Sequence, residues 1–418
     1  MSIIREVTIK AKKYLESDEV LIFVGARQAG KTTILHQLEE EIKNKPHFFI
    51  NLEDKEICHL LNKSPKEIFK ILPINLEKRT YIFIDEIQYL KDPTNFLKYI
   101  YDQYQSKIKL IVSGSSAFYV DKRFKDSLSG RKKIFNVYTT SLKEFFKFKE
   151  FDNLSIKKFN DLTLIEKDKF KELYYEYLIF GGYPRVIMAS IEEKKEVLRD
   201  IVYSYVKKDI YEANIRQDDI FYRLMKILAQ QIGNLVNSSE LSLTLGVSKT
   251  AIDNYLYVMQ KSFHISLIRP FYKNIRKELV KMPKIYFYDF GLRNFLVNDF
   301  EPFLLRTDKG QILENYFFRS LVNRYYIDQI KFWRTVDGAE VDFVVEDKAY
   351  EIKVNKKLAK VSKYKLFQKK YPKIKFEILD TEMIMDLWAF TTTGNMESLR
   401  FEVDEKVSLI FFAIINLL

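Results

Sequence analysis

The sequence predicts an α/β fold that opens with a parallel sheet carrying helices on both faces and ends in a second, smaller α/β unit. Across residues 1–154, strand-like apolar runs alternate with helix-like runs, which is typical of such a sheet. Helical spacing dominates from residue 155, and two strand-like runs return after residue 339. We therefore expect four domains, at residues 1–154, 155–219, 220–300 and 301–418.

The composition indicates a folded protein with several domains. The chain has 418 residues, a length that exceeds what one ordinary hydrophobic core organises. Hydrophobic residues make up 47% of it, which is typical of a folded protein. Its formal net charge of +12 permits an anionic partner such as DNA, although a general lysine bias explains that charge equally well. The single cysteine, Cys58, excludes an intrachain disulfide framework. The most apolar stretch, residues 408–418, is too short to cross a bilayer, so we expect a cytoplasmic protein without stable membrane insertion.

The run GARQAGKT matches the phosphate-binding pattern G-x-x-x-x-G-K-[ST] in full. A strand-like run precedes it and helix-like spacing follows it, as this pattern requires. In such a loop backbone N–H groups surround the phosphates, Lys31 reaches the outer phosphates and the Thr32 hydroxyl binds Mg²⁺. The sequence therefore predicts ATP and Mg²⁺ as cofactors. The predicted nucleotide contacts are Gly25, Ala26, Arg27, Gln28, Ala29, Gly30, Lys31, Thr32 and Thr33.

Two acids follow the third predicted strand of the first domain. The five predicted strands are Val20–Val24, His47–Asn51, Tyr81–Ile84, Leu110–Ser113 and Ile134–Tyr138. Asp85 and Glu86 come directly after the third, at the sheet edge where nucleotides bind. We predict that Asp85 belongs to the Mg²⁺ shell and that Glu86 orients the attacking water.

Two further residues are candidates for the transition state. Ser115 follows the fourth strand and is predicted to lie near the γ-phosphate, although small polar residues are also ordinary turn formers. Arg131 could stabilise transition-state charge in cis or from a neighbouring subunit, and the alternative is an ordinary surface arginine. A role in trans would require a homo-oligomer.

The runs GARQAGKTT, FIDEIQ, SGSSAF, SGR and YLIFGGYPRV resemble prokaryotic AAA-type ATPases that carry a C-terminal domain of unknown function. The resemblance implies that residues 155–219 form a helical lid. It also implies that Gly182 and Pro184, in a Gly-x-Pro motif, contact the adenine and that Arg185 senses phosphate. From the residues alone, the same segment also fits a plain turn between helices.

Residues 237–256 have the pattern of a helix, a glycine-containing turn and a second helix with Ser248 as its N-cap. This is the spacing of a helix-turn-helix, and we interpret residues 220–300 as a winged-helix-like domain. The second helix of such a unit commonly enters the major groove of double-stranded DNA. Its exposed face would combine Lys249 with Asp253 and be nearly neutral, so a protein-binding surface remains an alternative.

A possible nuclease site lies near the C-terminus. Asp342, Glu351 and Lys353 form a D-(x)n-E-x-K pattern on two strand-like runs, and Glu314 in a helix-like run could add a ligand. Such a set could hold Mg²⁺ and activate water at a phosphodiester, whereas the plain alternative is solvated charge on an antiparallel pair. The arrangement resembles the restriction-endonuclease-like core, and the family resemblance favours that fold for residues 301–418. The lysine-rich residues 353–375 could also face nucleic acid, and the equal alternative is a solvated helix face.

Together these features predict an AAA-type ATPase that acts as a nucleotide-dependent switch and couples to DNA or protein partners. Two alternatives remain from the sequence: an ATP-controlled, Mg²⁺-dependent nuclease, and a slow nucleotide-gated DNA-binding regulator without significant turnover.

Overall fold

The computed structural model describes residues 3–114, 128, 130–155, 157, 159–213, 215–272 and 274–390. The candidate sensor Ser115 and the apolar C-terminal run at residues 408–418 lie outside these ranges. In the described part of the chain, no helix is both long enough and apolar enough to cross a membrane.

The first sheet is parallel throughout and has the strand order β2-β3-β4-β1-β5. Its strands are β1 (Val20–Gly25), β2 (His47–Asn51), β3 (Thr80–Asp85), β4 (Ile108–Gly114) and β5 (Lys132–Val137). Each lies within two residues of its predicted position. β1, β3 and β4 are buried along their whole length, which explains their near-continuous apolar sequences.

Helices cover both faces of this sheet. They are α1 (Glu6–Lys12), α2 (Lys31–Glu41), α3 (Lys55–Lys63), α4 (Ile68–Ile71) and α5 (Pro93–Tyr104). The chain passes from β1 over to β2 and then returns through β3 to β4. Because parallel crossovers are right-handed, α2 lies on one face and α3 and α5 lie on the other. Local sequence sets their starts: Asp54 caps α3, and Asp92 with Pro93 begins α5.

A helical segment connects the first sheet to the rest of the chain. It contains α6 (Leu142–Phe148), α7 (Leu164–Phe180), α8 (Pro184–Met188), α9 (Lys194–Asp200), a π-helical turn at Ile201–Val206 and α10 (Lys207–Glu212). A capping box between Thr163 and Glu166 fixes the start of α7. Buried tyrosines of α7, including Tyr174 and Tyr177, pack edge-on against Tyr316 from the C-terminal region.

The helix-turn-helix pattern corresponds to two helices joined at a left-handed glycine. The elements of this region are α11 (Asp218–Gln230), α12 (Ser238–Leu245), α13 (Lys249–Lys261), β6 (Ile265–Pro270), α14 (Ile275–Val280), β7 (Lys284–Phe287) and α15 (Phe290–Val297). Gly246 ends α12 with φ 68°. The hydroxyl of Ser248 accepts from the Ala251 N–H at 3.1 Å, so the predicted N-cap is confirmed.

The second sheet is mixed and has the order β11-β10-β9-β8-β6-β7. The C-terminal elements are α16 (Lys309–Leu321), β8 (Lys331–Arg334), β9 (Glu340–Val345), β10 (Lys348–Ile352), α17 (Lys365–Lys370), β11 (Lys375–Leu379) and α18 (Thr381–Phe390). β6 pairs with β8 through Arg269 and Lys331, so this sheet continues across the predicted domain boundary at residue 300. That boundary therefore does not separate two independent sheets. The sequence could not show this, because pairing between strands that are distant along the chain leaves no local signal.

Candidate functional site

The phosphate-binding loop follows β1 and leads directly into α2. Gly25 lies so close to β5 that an added Cβ would be 2.0 Å from the Val137 carbonyl oxygen. Gly30 has φ 93°, a left-handed conformation that favours glycine, and it is the residue before the first turn of α2. The two glycines of the motif are therefore required for different reasons: one for close packing between strands, the other for the turn.

Lys31 is a buried cation at the start of α2, with 5% of its surface exposed. Its Nζ donates to the carbonyl oxygens of Gly25 and Ala26, both at 3.0 Å. Burial lowers the pKa of this ammonium group, while the nearby carboxylate of Glu86 acts in the opposite direction. A desolvated ammonium beside a helix N-terminus is suited to binding phosphate.

Asp85 connects the loop to the third strand. The Thr32 hydroxyl donates to Asp85 Oδ2 at 2.6 Å, and the hydroxyl of Ser113 donates to Asp85 Oδ1. The Glu86 N–H donates to the same Ser113 hydroxyl at 3.2 Å. Ser113 is the penultimate residue of β4, the strand between β1 and β3, so its contact with Asp85 depends on the strand order. Sequence reasoning placed Ser113 in a strand and missed this contact.

Glu86 adopts a strained backbone conformation beside the cavity. It has φ 58° and ψ 48°, the left-handed region that is uncommon for a residue with a Cβ. The side chain of Gln88 donates to Glu86 Oε2. This hydrogen bond orients the carboxylate of Glu86, which lines the cavity beside the loop. Gln88 was not singled out from the sequence, although it lies only two residues from Glu86.

A cavity of about 400 Å³ lies beside the loop. Its lining residues are Arg27, Gln28, Gly30, Lys31, Thr32, Thr33, Glu53, Glu86, Pro184, Arg185, Met188 and Lys208. The structure thus brings Pro184 and Arg185 to the loop, although more than 150 residues separate them from it. Glu53, Met188 and Lys208 were missed by sequence reasoning. Met188 lies on α8 and Lys208 on α10, whereas Glu53 follows β2, and Lys208 pairs with Glu53 at 3.6 Å. No local pattern reports that these distant segments meet.

Gly182 lies outside this lining. It is buried, its N–H donates to Asp289 Oδ2 at 2.8 Å, and its carbonyl oxygen accepts from the Thr140 N–H at 2.8 Å. The structure therefore gives this glycine a packing role between α7 and α8, and its predicted adenine contact is not seen in the geometry.

We expect Gly182→Ala to lower the free energy of unfolding by about 1–3 kcal/mol, because its Cβ would have to displace tightly packed backbone. That Cβ would lie 2.5 Å from the Thr140 carbonyl oxygen. Urea unfolding measures the change. Gly310→Ala is the matched control, since a Cβ there meets nothing within 4 Å and lies inside α16. Equal stability of the two variants would contradict the packing role.

Arg131 lies at the N-terminal ends of the strands of the first sheet, whereas the loop lies at their C-terminal ends. Its carbonyl oxygen accepts from the Val20 N–H at 2.8 Å, and β5 runs parallel to β1 from that point. β1 is six residues long, so about 16 Å separate the two edges. The guanidinium pairs with Asp102 at 3.0 Å. The predicted role in cis is therefore wrong, since strand direction places Arg131 away from its own site, and a role in trans stays a prediction.

Arg27 of the loop is tied to α10 by buried ion pairs. Its Nε lies 2.9 Å from Asp209 Oδ1, and its other end pairs with Glu212. The second oxygen of Asp209 lies 3.0 Å from His264 Nε2. All three members of the chain Arg27, Asp209 and His264 are at most 7% exposed. Because His264 immediately precedes β6, one chain of contacts connects the phosphate-binding loop to the second sheet. Asp209 carries no sequence signal for this role.

Arg5 holds the loop from its other side. Its guanidinium donates to the Ala29 carbonyl oxygen at 2.7 Å and to Glu144 at 2.8 Å. Both side chains are buried, and burial works against the charge of Glu144 while Arg5 lowers its pKa. Sequence reasoning missed this pair as well, since 139 residues separate its members.

The four residues proposed for a nuclease site do come together in the second sheet. Asp342 lies on β9 and Oδ2 accepts from the Ile352 N–H at 2.9 Å. Glu351 accepts from Lys353 and, at 3.0 Å, from the Tyr364 hydroxyl. Glu314 reaches the group from α16, where its Oε1 accepts from the Tyr286 hydroxyl at 2.5 Å.

A fifth residue changes what this cluster can hold. Lys284, from β7, lies within 4 Å of Glu314, Glu340 and Asp342. Its ammonium therefore occupies the space between the carboxylates. Across the described ranges, no three acidic, histidine or cysteine side chains are grouped so as to hold a metal ion. The cluster does not fit Mg²⁺, and we derive no cleavage step through one.

Burial raises the pKa of Glu314 and of Glu351 to about 7, and the charge of Asp342 adds to both shifts. A carboxyl group whose pKa is raised on folding stabilises the fold below its unfolded pKa, and that contribution is lost as pH rises to 7. We therefore expect Glu314→Gln to gain stability relative to the wild type between pH 5 and pH 7.5, by on the order of 2 kcal/mol. Urea unfolding at each pH measures it. The exposed Glu301→Gln serves as control, and a pH-independent difference would contradict the raised pKa.

A family model described as an AAA domain matches residues 17–146. Residues 17–146 are therefore similar to an AAA domain. This stretch contains the loop, Asp85, Glu86 and Ser113. Two models described only as domains of unknown function match residues 171–302 and 309–388.

Two curated relatives are similar to this chain over most of its length, beyond residues 17–146. An uncharacterized protein of Methanocaldococcus jannaschii is 26% identical over 97% of this chain and 88% of its own length. An uncharacterized protein of Haemophilus influenzae is 27% identical over 81% of this chain and 82% of its own. Among solved structures, the RuvB Holliday junction branch migration motor of Thermotoga maritima is 16% identical, with 63% of this chain and 89% of that chain covered, at a TM-score of 0.33.

Proposed function

We propose that this protein is an ATP-binding and ATP-hydrolysing AAA-type ATPase that acts as a nucleotide-dependent switch. The observation that carries the proposal is the hydrogen bond of 2.6 Å between Thr32 and Asp85, with Glu86 lining the same cavity. It brings together the hydroxyl and carboxylate oxygens that Mg²⁺ prefers, next to the water-orienting acid that hydrolysis needs.

The residues present fit ATP and Mg²⁺. Lys31 is buried and bound only to the loop carbonyls in the described structure, so an anionic phosphate would be a better partner for it. When bound, Mg²⁺ neutralises charge on the β- and γ-phosphates. Thr32 and Asp85 would hold the ion, directly or through water. Glu86 would accept a hydrogen bond from the attacking water and orient it in line with the γ-phosphate.

The switch part of the proposal is supported by the contacts of Arg27. This arginine belongs to the loop, yet it pairs with Asp209 and Glu212 on α10, and Asp209 also holds His264. Phosphates in the loop would compete with these carboxylates for the guanidinium. A change in that pairing would alter the support of β6, the strand that joins the two parts of the second sheet.

Steady-state ATP turnover tests the enzymatic part of the proposal. We expect Lys31→Ala to lower ATP affinity by about 10- to 100-fold, because it removes a charge-assisted contact to phosphate. A fluorescent ATP analogue measures the affinity, and phosphate release measures the turnover. A wild-type turnover equal to that of Lys31→Ala would overturn the proposal.

Double-stranded DNA is the partner that the helix-turn-helix geometry favours. α12 and α13 meet at Gly246, and the antiparallel pair β6–β7 follows, which is the order of a winged helix. Lys249 at the start of α13 is engaged by Asp253 at 2.8 Å, so this helix offers little net positive charge. We expect Lys249→Glu to weaken DNA binding and reduce its salt dependence. Unchanged affinity would remove α13 from the interface and favour a protein partner.

The C-terminal elements α16, β8, β9, β10, α17 and β11 form a small α/β unit that brings Glu314, Asp342 and Glu351 together, as the nuclease-like hypothesis expects. This supports the fold part of that hypothesis. The position of Lys284 opposes cleavage, and we therefore do not propose a nuclease activity.

A further inference from the structure

Lys284 is the first residue of β7, and its ammonium group is almost completely shielded from solvent. The residue is 1% exposed. Its Nζ lies 2.5 Å from Glu340 Oε1, 3.0 Å from Glu314 Oε1 and 3.6 Å from Asp342 Oδ1. The aromatic ring of Phe332 lies 5.6 Å away. One ammonium with three donors thus faces three carboxylates from two different elements, α16 and β9.

We propose that Lys284 is the resident cation of this cluster and stands where a nuclease would hold its divalent metal. A divalent ion needs several oxygens at about 2.0–2.6 Å. The ammonium lies among the same oxygens and repels a second cation at this distance. The wild-type cluster therefore binds no divalent cation.

Glu351, the remaining acid of the cluster, indicates how the cluster would bind cations if Lys284 were removed. Glu351 pairs with Lys353 through one oxygen, while Oε2 has no hydrogen-bond partner in the described structure and the residue is 5% exposed. Removal of Lys284 would leave the buried carboxylates of Asp342 and Glu351 and the half-buried carboxylates of Glu314 and Glu340, with Lys353 as the neighbouring cation. Such a set has the oxygen ligands and the charge that Mn²⁺ or Mg²⁺ requires.

The lysine comes from the region before residue 300, whereas its carboxylate partners follow residue 309. The ion cluster thus fastens β7 to the C-terminal part of the second sheet. We infer a scaffold role for this cluster, since its charge is neutralised from within the chain. This inference does not depend on the proposed ATPase, because the nucleotide site shares none of these residues.

Mn²⁺ binding to nucleotide-free protein tests the proposal, with free Mn²⁺ followed by electron paramagnetic resonance. We expect the wild type to bind no Mn²⁺ at this cluster. Lys284→Met should bind one ion there, with an affinity at least about tenfold above the weakest binding that the wild-type measurement could detect. Adding Asp342→Asn to that variant should abolish the binding. Lys331→Met is the matched control, since Lys331 is a half-buried lysine of β8 that pairs with the single acid Glu278.

Loss of Lys284 could prevent folding, so a second variant is needed. Lys284→Met combined with Glu314→Gln removes one positive and one negative charge and leaves Glu340, Asp342 and Glu351 as ligands. We expect this double variant to bind Mn²⁺ and to unfold at a higher temperature when Mn²⁺ is present. The proposal is overturned if the wild type binds Mn²⁺ in a way that Asp342→Asn abolishes, or if the folded variants without Lys284 bind none.

Discussion

Glu86→Gln is expected to reduce ATP turnover by about 100- to 1,000-fold while ATP binding is retained. The substitution keeps the size of the side chain and removes only the charge that polarises water. Because Gln88 donates to Glu86 Oε2, the amide can keep an acceptor oxygen toward Gln88, and the left-handed turn can persist. Lys31 and the loop are unaltered, so the affinity for ATP should change little.

Turnover and binding are measured separately for this variant, by phosphate release and by retention of labelled ATP. Glu40→Gln is a suitable control, because Glu40 is an exposed carboxylate on α2, the helix that follows the loop, and it pairs with the exposed Lys43 at 2.6 Å. We expect its turnover to match the wild type. If Glu86→Gln hydrolysed ATP at the wild-type rate, the water-orienting role would belong to another residue.

Asp209→Ala is expected to lower the free energy of unfolding by about 3 kcal/mol or more. The carboxylate is 4% exposed and bridges Arg27 on one side and His264 on the other. Its removal leaves a buried guanidinium with Glu212 as the remaining acid and deprives His264 Nε2 of its partner. An uncompensated buried charge costs far more than the loss of an exposed ion pair.

Urea unfolding of the full chain measures this loss. Asp219→Ala is the matched control, since Asp219 also pairs with an arginine, Arg223 at 4.0 Å, but on the exposed face of α11. We expect that variant to change stability by less than about 1 kcal/mol. Similar losses for both variants would mean that the buried bridge adds nothing beyond a surface pair.

Contiguous patterns made the proposed nucleotide site recognisable from the sequence. The loop from Gly25 to Thr32 is a single run, and Asp85 and Glu86 directly follow an apolar strand. In both cases the covalent chain itself sets the relative positions of the residues. The same holds for Ser248, because an N-cap depends only on the next three residues.

The positions of Arg131 and Ser113 relative to the loop and to Asp85 could not be predicted from contiguous sequence patterns. Arg131 and the loop belong to neighbouring strands, yet parallel pairing places them at opposite edges. Ser113 touches Asp85 because β4 lies beside β3. Neither relation has a local signal, since strand order is decided by packing of the whole sheet.

By itself, then, the sequence determined the parallel α/β core, its strands and the position of the glycine-rich loop between β1 and α2. Only the tertiary structure decided that Arg27 is tied to Asp209 and that Lys284 enters the C-terminal acid cluster. Both are buried charges, which must find opposite charges wherever folding brings them near. Their partners lie up to 182 residues away along the chain, so burial and long-range packing, rather than local pattern, fix these two contacts.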